Sequence, residues 1–417
     1  MKFLLSLAWK NLSRYRRRTI ITACALAVGL TLFIFTDALL KGMEKESERN
    51  LIWYETSSAK ILNREYFNDR KLLTLTDPIN EYQALHNVLR EESADFTPRI
   101  VFSAELLVYE DPYPGDGSLM VKAAAVSPES DDSVYRFQET VTEGRYLEKG
   151  EDGILLGSWL AEDLHAEVGY PVTLVTRTKS GYYQTIDMEI VGIYTCPNPY
   201  VNRSTVFLPI SSAMEYLEMD GSVTEVGVKF PMTADIDKEA EDLRTLINDI
   251  FPDLEVYTWK ELAPDYIQLA AGKQAGSKTI LLLVLIIAVV GISNTMLMAI
   301  YERVRELGMM RALGMDDRKI RRTFLLEAAG IGFIGSLLGI ALGSLITWYF
   351  VNNGIDMTAF TRNMDIGYRT SGIMRPAWNF STIIISFIAG ILISVGVAFV
   401  PTRRAMKMEI AECLRHQ

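Results

Sequence analysis

The sequence predicts an α-helical membrane protein with four transmembrane helices plus a large α+β extracytoplasmic domain between helices 1 and 2. Three observations carry this expectation. Four stretches stay apolar for about the 20 residues a helix needs to cross a bilayer. The charge is divided: residues 43–277 hold 42 acidic and 20 basic side chains, and the rest of the chain holds 10 acidic and 22 basic. The net charge of −10 therefore averages an acidic, soluble block with a basic, apolar one. Lys and Arg also cluster beside the span ends, in three segments that share one side when four spans are threaded. The positive-inside rule makes that side cytoplasmic.

Residues 1–18 read as a cytoplasmic elbow segment. They carry Lys2, Lys10, Arg14, Arg16, Arg17 and Arg18 without an acid. Leu5, Ala8, Trp9 and Leu12 share one helical face, which suits a helix lying in the inner interface. Residues 19–42 form transmembrane helix 1. Within it "ITAC" (21–24) imitates the box before a lipid-modified cysteine. Only Thr19 and Ile20 separate the box from Arg18, too few for the apolar core of a signal peptide. Cys24 therefore reads as a buried membrane thiol.

Residues 43–277 form the extracytoplasmic α+β domain. Segments 188–194, 204–210 and 224–230 are short, β-branched and bounded by turns, as strands are. "PVTLVTRT" and "GYYQTIDMEI" flank Lys179–Ser180–Gly181 as a hairpin. Segments 211–219 and 235–251 have helical spacing, the second with Asp235 as its cap. Ala240, Leu243, Leu246, Ile247 and Ile250 would pack that helix on a sheet. Cys196 is the one cysteine in the block, so no disulfide forms inside it. No H-E-x-x-H, C-x-x-C or calcium-loop spacing appears, so no metal is expected. "CPNPYVNRS" (196–204) reads as an irregular connector that shows Tyr200 to solvent.

Residues 278–301 form transmembrane helix 2. Just before it, Gly272 to Thr279 spell G-x-x-x-x-S-K-T, one residue from a phosphate-binding loop. Ser277 replaces the second glycine and no strand precedes the segment, so nucleotide binding is not expected. Lys273 and Lys278 mark the membrane boundary instead. Residues 302–322 form a cytoplasmic coupling loop and 323–351 transmembrane helix 3. An extracytoplasmic loop (352–379), transmembrane helix 4 (380–400) and a cytoplasmic tail (401–417) complete the chain. Gly335, Gly339 and Gly343 lie four apart on one face of helix 3, where they let helix backbones approach closely. Spans three and four are expected to pair, leaving spans one and two freer. No charged residue lies at a span centre, which argues against an ion relay. Asp37 and Asn294 lie near span ends.

In the coupling loop, helical spacing passes beyond the membrane through Glu302, Arg303, Arg305 and Glu306. Gly308 loosens it and Gly314 ends it. Asp316 or Asp317 caps a new helix. Leu307, Met309, Met310 and Leu313 form an apolar knob ringed by charge, suited to a groove on another protein.

The stretch "ERVRELGMMRALGMDDRKIRRTFLLEA" resembles the signature of the FtsX/MacB/LolC–LolE class of ABC-transporter permeases. So do "PTRRAMKMEIAECLR" (401–415), "AWKNLSRYRRRTIIT" (8–22) and "GILLGSWLAEDLHAEVGYPVTLVT" (153–176). The resemblance implies a non-enzymatic permease subunit of a bacterial inner membrane, with both termini cytoplasmic. Two cytoplasmic ABC ATPase subunits would dock on it and supply ATP and Mg; this chain would hold no cofactor. A second permease, identical or paralogous, would complete the complex within membrane lipid, and no nucleic acid is involved. Arg303, Arg305, Glu306 and Arg311 would anchor the coupling helix, and Leu307, Met309, Met310 and Leu313 would insert into the ATPase. "VYTWKELAP" (256–264) is similar to a stretch of the lipoprotein-releasing LolC/LolE permeases. That likeness implies lipoprotein cargo drawn from the outer leaflet, with a periplasmic carrier or adaptor. Phe33, Phe35, Leu39, Leu40 and Met43 on span one, with Leu281, Leu282 and Leu285 on span two, would then meet acyl chains. The alternatives are a MacB-type exporter of peptides or drugs and an FtsX-type permease that activates a cell-wall hydrolase.

Overall fold

The computed structural model describes residues 16–92, 94–108, 118–231, 234–302, 309–356 and 372–405. The elbow helix, the anchors Arg303, Arg305 and Glu306, the insert residue Leu307, and the tail beyond 405 lie outside the described residues. Six longer helices are α1 (Arg16–Leu51), α2 (Tyr82–Glu91), α3 (Ile236–Ile250), α4 (Pro264–Glu302), α5 (Asp317–Asn353) and α6 (Phe380–Ala405). The described residues fall into two compact units. One is drawn from Met1–Glu44, Ala270–Asp356 and Ile373–Gln417, the other from Lys45–Leu269 and Met357–Gly372.

In the first unit, three described helices are long and apolar enough to cross a membrane, within Thr19–Thr56, Asp317–Asn353 and Phe380–Arg404. These carry three of the four expected spans. The other, 278–301, is helical throughout within α4, although many of its side chains lie outside the described set. At 1.5 Å per residue the 36 residues of α1 run for about 54 Å, longer than the roughly 30 Å of hydrocarbon. Cys24, expected to be buried, is exposed on this helix. After α5, Gly354 turns the chain with a positive φ of 72°. A short pair of strands follows, β11 (Ile355–Asp356) and β12 (Ile373–Met374).

The second unit is α+β. Its strands are β1 (Ala59–Asn63), β2 (Asp95–Val108), β3 (Ser118–Val126), β4 (Val141–Gly144) and β5 (Gly153–Gly157). They continue with β6 (Pro171–Arg177), β7 (Tyr183–Tyr194), β8 (Thr205–Pro209), β9 (Glu225–Lys229) and β10 (Leu254–Thr258). The 14-residue β2 joins two runs of pairing within one ten-stranded sheet. Its first residues pair with β9, extending a wing in the order β10-β1-β9-β2. From Arg99 onward it pairs with β3 and then also β6, and the pairings β3-β8-β5-β7-β6 return to it as a closed ring. The expected hairpin is present: Arg177 faces Tyr183 across Gly181, whose φ is +86°.

The core follows from alternation. Ile61, Ile100, Phe102, Leu106, Leu156, Leu174, Val206 and Val226 point to one continuous apolar cluster. Leu85 and Leu89 of α2 and Ala240 and Ile247 of α3 belong to that cluster, as the period of an amphipathic helix requires. Asp235 caps α3 by accepting from the Asp237 backbone N–H at 3.2 Å. Ile250, expected on the buried face, is exposed where the helix ends.

Candidate functional site: coupling turn and glycine seam

The coupling segment is described from Met309 onward. A helical turn at 309–312 closes as Leu313 N donates to Met309 O (2.9 Å), Gly314 N to Arg311 O (3.0 Å) and Met315 N to Met310 O (3.0 Å). Gly314 has φ +84°, a left-handed conformation that glycine adopts without a Cβ penalty and that commonly ends helices. Asp316 then caps α5, its carboxylate accepting from Arg318 N at 3.1 Å, which satisfies one otherwise unpaired donor of the new helix. Arg311 Nε lies 3.0 Å from Asp317 Oδ1, tying the turn to the helix that follows.

This geometry divides the expected knob. Leu313 is 88% exposed and Met309 is exposed. Met310 instead turns inward and packs with Met315 on the buried Ile320 and Phe324 of α5. The outward apolar surface among the described residues is therefore Met309 and Leu313, and Met310 fixes the turn to its base. Glu302 ends α4; its side chain is outside the described set.

The glycine seam is where α1 meets α5. A Cβ at Gly335 would stand 3.0 Å from Ala23 O and 3.0 Å from Leu26 Cδ2. At Gly339 it would stand 2.9 Å from Leu30 Cβ, and at Gly343 3.2 Å from Ile34 Cβ. Three glycines four residues apart thus face α1 rows that also advance by about one turn. Thr31 Oγ1 donates across the seam to Gly339 O at 3.2 Å. The neighbouring small residues face α6: a Cβ at Gly332 would meet Ser394 Oγ at 2.7 Å, and one at Gly390 would collide with Ser336 Oγ. Spans three and four do pack, but the triplet itself seats span one, so span one is not the free element the spacing suggested. Further along α1, Asn379 Nδ2 donates to Asp37 Oδ2 (2.9 Å) and Ala377 N to Ala38 O (2.8 Å).

The expected acyl-contact residues separate in the same way. Phe33 and Met43 are buried, and Phe35, Leu39 and Leu40 are half-buried, with the Phe35 ring 5.4 Å from that of Phe350. Leu282 is exposed. Leu281 and Leu285 lie on α4 with side chains outside the described set.

A buried polar cluster in the second unit has no counterpart in the sequence reading. Lys60 Nζ sits 2.7 Å from Glu225 Oε1. Arg99 grips Asp131 with two hydrogen bonds of 2.9 Å, and its guanidinium lies 3.3 Å from the Tyr135 ring centre. Burial pushes the Glu225 carboxyl up, but Lys60 and Lys122 together hold it below the usual range. Segment 196–204 is more ordered than a connector. Asn198 caps a short helical turn, Pro199–Ser204, and the Tyr194 hydroxyl donates toward Val201 O (3.0 Å) and Thr205 O (2.7 Å). Burial pushes the Cys196 thiol up to about 12. No signal in a single sequence gathers residues 60, 99, 122, 131 and 225 into one place.

Comparison with known proteins identifies the architecture. The model of the MacB-like periplasmic core domain matches residues 19–246, and that of the FtsX-like permease C-terminal region matches 278–410. The chain belongs to the FtsX/MacB/LolC–LolE class of ABC-transporter permeases. It is 25% identical to the lipoprotein-releasing system transmembrane protein LolC of Neisseria meningitidis, over 96% of this chain and 94% of that one. It is 32% identical to the ABC transporter permease YtrF of Bacillus subtilis, over 58% of this chain and 54% of that one. It is 23% identical to the macrolide export ATP-binding/permease protein MacB of Shewanella oneidensis, covering 99% of this chain and 60% of MacB.

Proposed function

We propose that this chain is a four-span permease subunit that passes the motion of a separate ABC ATPase to the domain 43–277 outside the membrane. In this reading its work is to extract lipoproteins from the outer leaflet of a bacterial inner membrane. The observation that supports the coupling role is the capped turn at 309–316. It presents Met309 and Leu313 outward while Met310, Arg311 and Asp316 bind it rigidly to α5. Force applied at such a turn enters α5 and, through the glycine seam, α1. Two ATPase subunits and a second permease, identical or paralogous, complete the assembly. ATP and Mg are held by the ATPase, and a carrier or adaptor outside receives the cargo.

Lipoprotein release is favoured by the near full-length match to LolC. A MacB-type exporter is the second reading, because the match to MacB covers 99% of this chain. Reconstitution with the partner ATPase in liposomes separates them. Lipoprotein release predicts that ATP frees a lipid-anchored protein from the vesicles into a soluble acceptor. Intact ATP hydrolysis with no release would contradict it, and uptake of a peptide or macrolide instead would favour export.

A further inference from the structure

We infer that Ser57 is a positioning residue: it makes the junction between the end of α1 and the sheet of the extracytoplasmic unit a stiff elbow and not a hinge. The role of such an elbow rests on the coupling function proposed for this chain. Ser57 has φ 58° and ψ −174°. That combination is essentially kept to glycine, because a Cβ crowds the backbone there. A serine at such a position carries strain that glycine would avoid. Ser57 is also only 1% exposed, so the strain does not belong to a loose surface loop.

The neighbours hold the strained residue in place. Its hydroxyl lies between two carbonyls, bonding toward Thr56 O and, at 2.6 Å, Ala59 O. The buried Tyr135 hydroxyl also interacts with it. Upstream, residues 45–51 of α1 run into a wide helical turn, Ile52–Thr56, of a kind frequent at functional sites. Thr56 Oγ1 lies 3.3 Å from Leu51 O and 3.0 Å from Ser57 O. Downstream, Ser58 Oγ accepts from Phe230 N (3.1 Å) and Ser58 O from Trp259 N (3.2 Å). Ala59 then opens β1, which pairs with β9 on one edge and β10 on the other. The chain enters and leaves this unit at the same place. Leu51 of α1 and Tyr266 of α4 are buried in one apolar cluster with Trp259 and Ala263. Trp259 follows β10 on a turn held by a capping box, Thr258 N donating to Glu261 Oε2 at 2.7 Å. Ala59 faces Thr258 across the strand pair. Glycine at position 57 would free the backbone and let the end of α1 tilt without moving β1. The Cβ of serine bars that freedom, so a displacement of α1 passes into the wing β10-β1-β9-β2.

The test uses the full chain in lipid nanodiscs, with its three cysteines replaced by alanine. Nitroxide labels are placed at the exposed positions Lys45→Cys on α1 and Lys238→Cys on α3. Pulsed electron resonance reads the distance between them, and thermal midpoints are measured on the unlabelled chain. We expect one narrow distance for Ser57 and for Ser57→Ala, which keeps the Cβ. Ser57→Gly should broaden the distribution at least about twofold. Ser57→Ala should unfold below the unsubstituted chain, having lost the hydroxyl, and Ser57→Gly should unfold above Ser57→Ala, because the strain is gone. In liposomes with the partner ATPase, Ser57→Gly should hydrolyse ATP at the unsubstituted rate. It should release at least about threefold less lipid-anchored protein per ATP, while Ser57→Ala releases as much as Ser57. An unchanged distance width in Ser57→Gly, an equal broadening in Ser57→Ala, a lower midpoint for Ser57→Gly than for Ser57→Ala, or equal release per ATP in all three overturns the inference. Absence of release by the unsubstituted chain counts against lipoprotein release alone, because distances and midpoints are read without ATPase or cargo. Should Ser57→Ala fail to fold, the widths for Ser57 and Ser57→Gly decide.

Discussion

Lys60, Arg99, Asp131 and Glu225 form two ion pairs away from water, all four side chains being nearly inaccessible. Truncating one member of such a pair strands the other charge, at a cost of about 3–5 kcal/mol. Replacing both members of a pair with uncharged groups costs far less. The sign of the pH dependence follows from Glu225. Its carboxyl titrates below the usual range when folded, so the unfolded chain takes up the proton first. The stability it contributes is complete above the unfolded value of about 4.3 and is lost as the pH falls toward the lower folded value. Thermal unfolding of the detergent-solubilised chain should therefore show a midpoint that declines below about pH 4.3. The double variant Lys60→Met/Glu225→Gln should flatten that decline. An identical acid slope in the double variant would show that this pair does not carry the effect.

The element that sets the membrane unit is the seam between α1 and α5. At Gly339 the space for a side chain is already filled by Leu30 and the Ala27 carbonyl. Gly339→Leu should therefore lower stability by about 1–3 kcal/mol, the usual cost of overpacking. Ala341→Leu, on an exposed position of the same helix, should be nearly neutral. Thermal midpoints of the two variants in one detergent provide the comparison, and equal midpoints would remove the seam from the account. The glycine spacing made this surface legible in the sequence, because helical periodicity defines a face. It did not define the neighbour, since a face of small residues accepts any close helix, and span one took the place expected for span four. The hairpin at Gly181 and the helix after Asp235 were legible for the same local reason. Strand β2 was not. It is buried on both faces from Thr97 to Phe102, so it lacks the alternation of a half-exposed strand, and Pro98 argues against a strand. The coupling turn was legible in its outline through Gly314 and Asp316. The inward direction of Met310 depended on Ile320 and Phe324, which lie a turn or more into the next helix.

At the scale of the whole molecule, the charge division separates a lipid-embedded part from an acidic part, and the long helices join them along the chain. Under the proposed function the motor is a separate ABC ATPase. The most direct test is co-purification of the partner ATPase, with ATP hydrolysis measured for the chain alone and for the complex. The account predicts hydrolysis by the complex only. Leu313→Asp should lose the ATPase while keeping the thermal midpoint, whereas Met310→Asp should lower the midpoint as well. ATP hydrolysis by the purified chain alone, or full retention of the ATPase by Leu313→Asp, would contradict it.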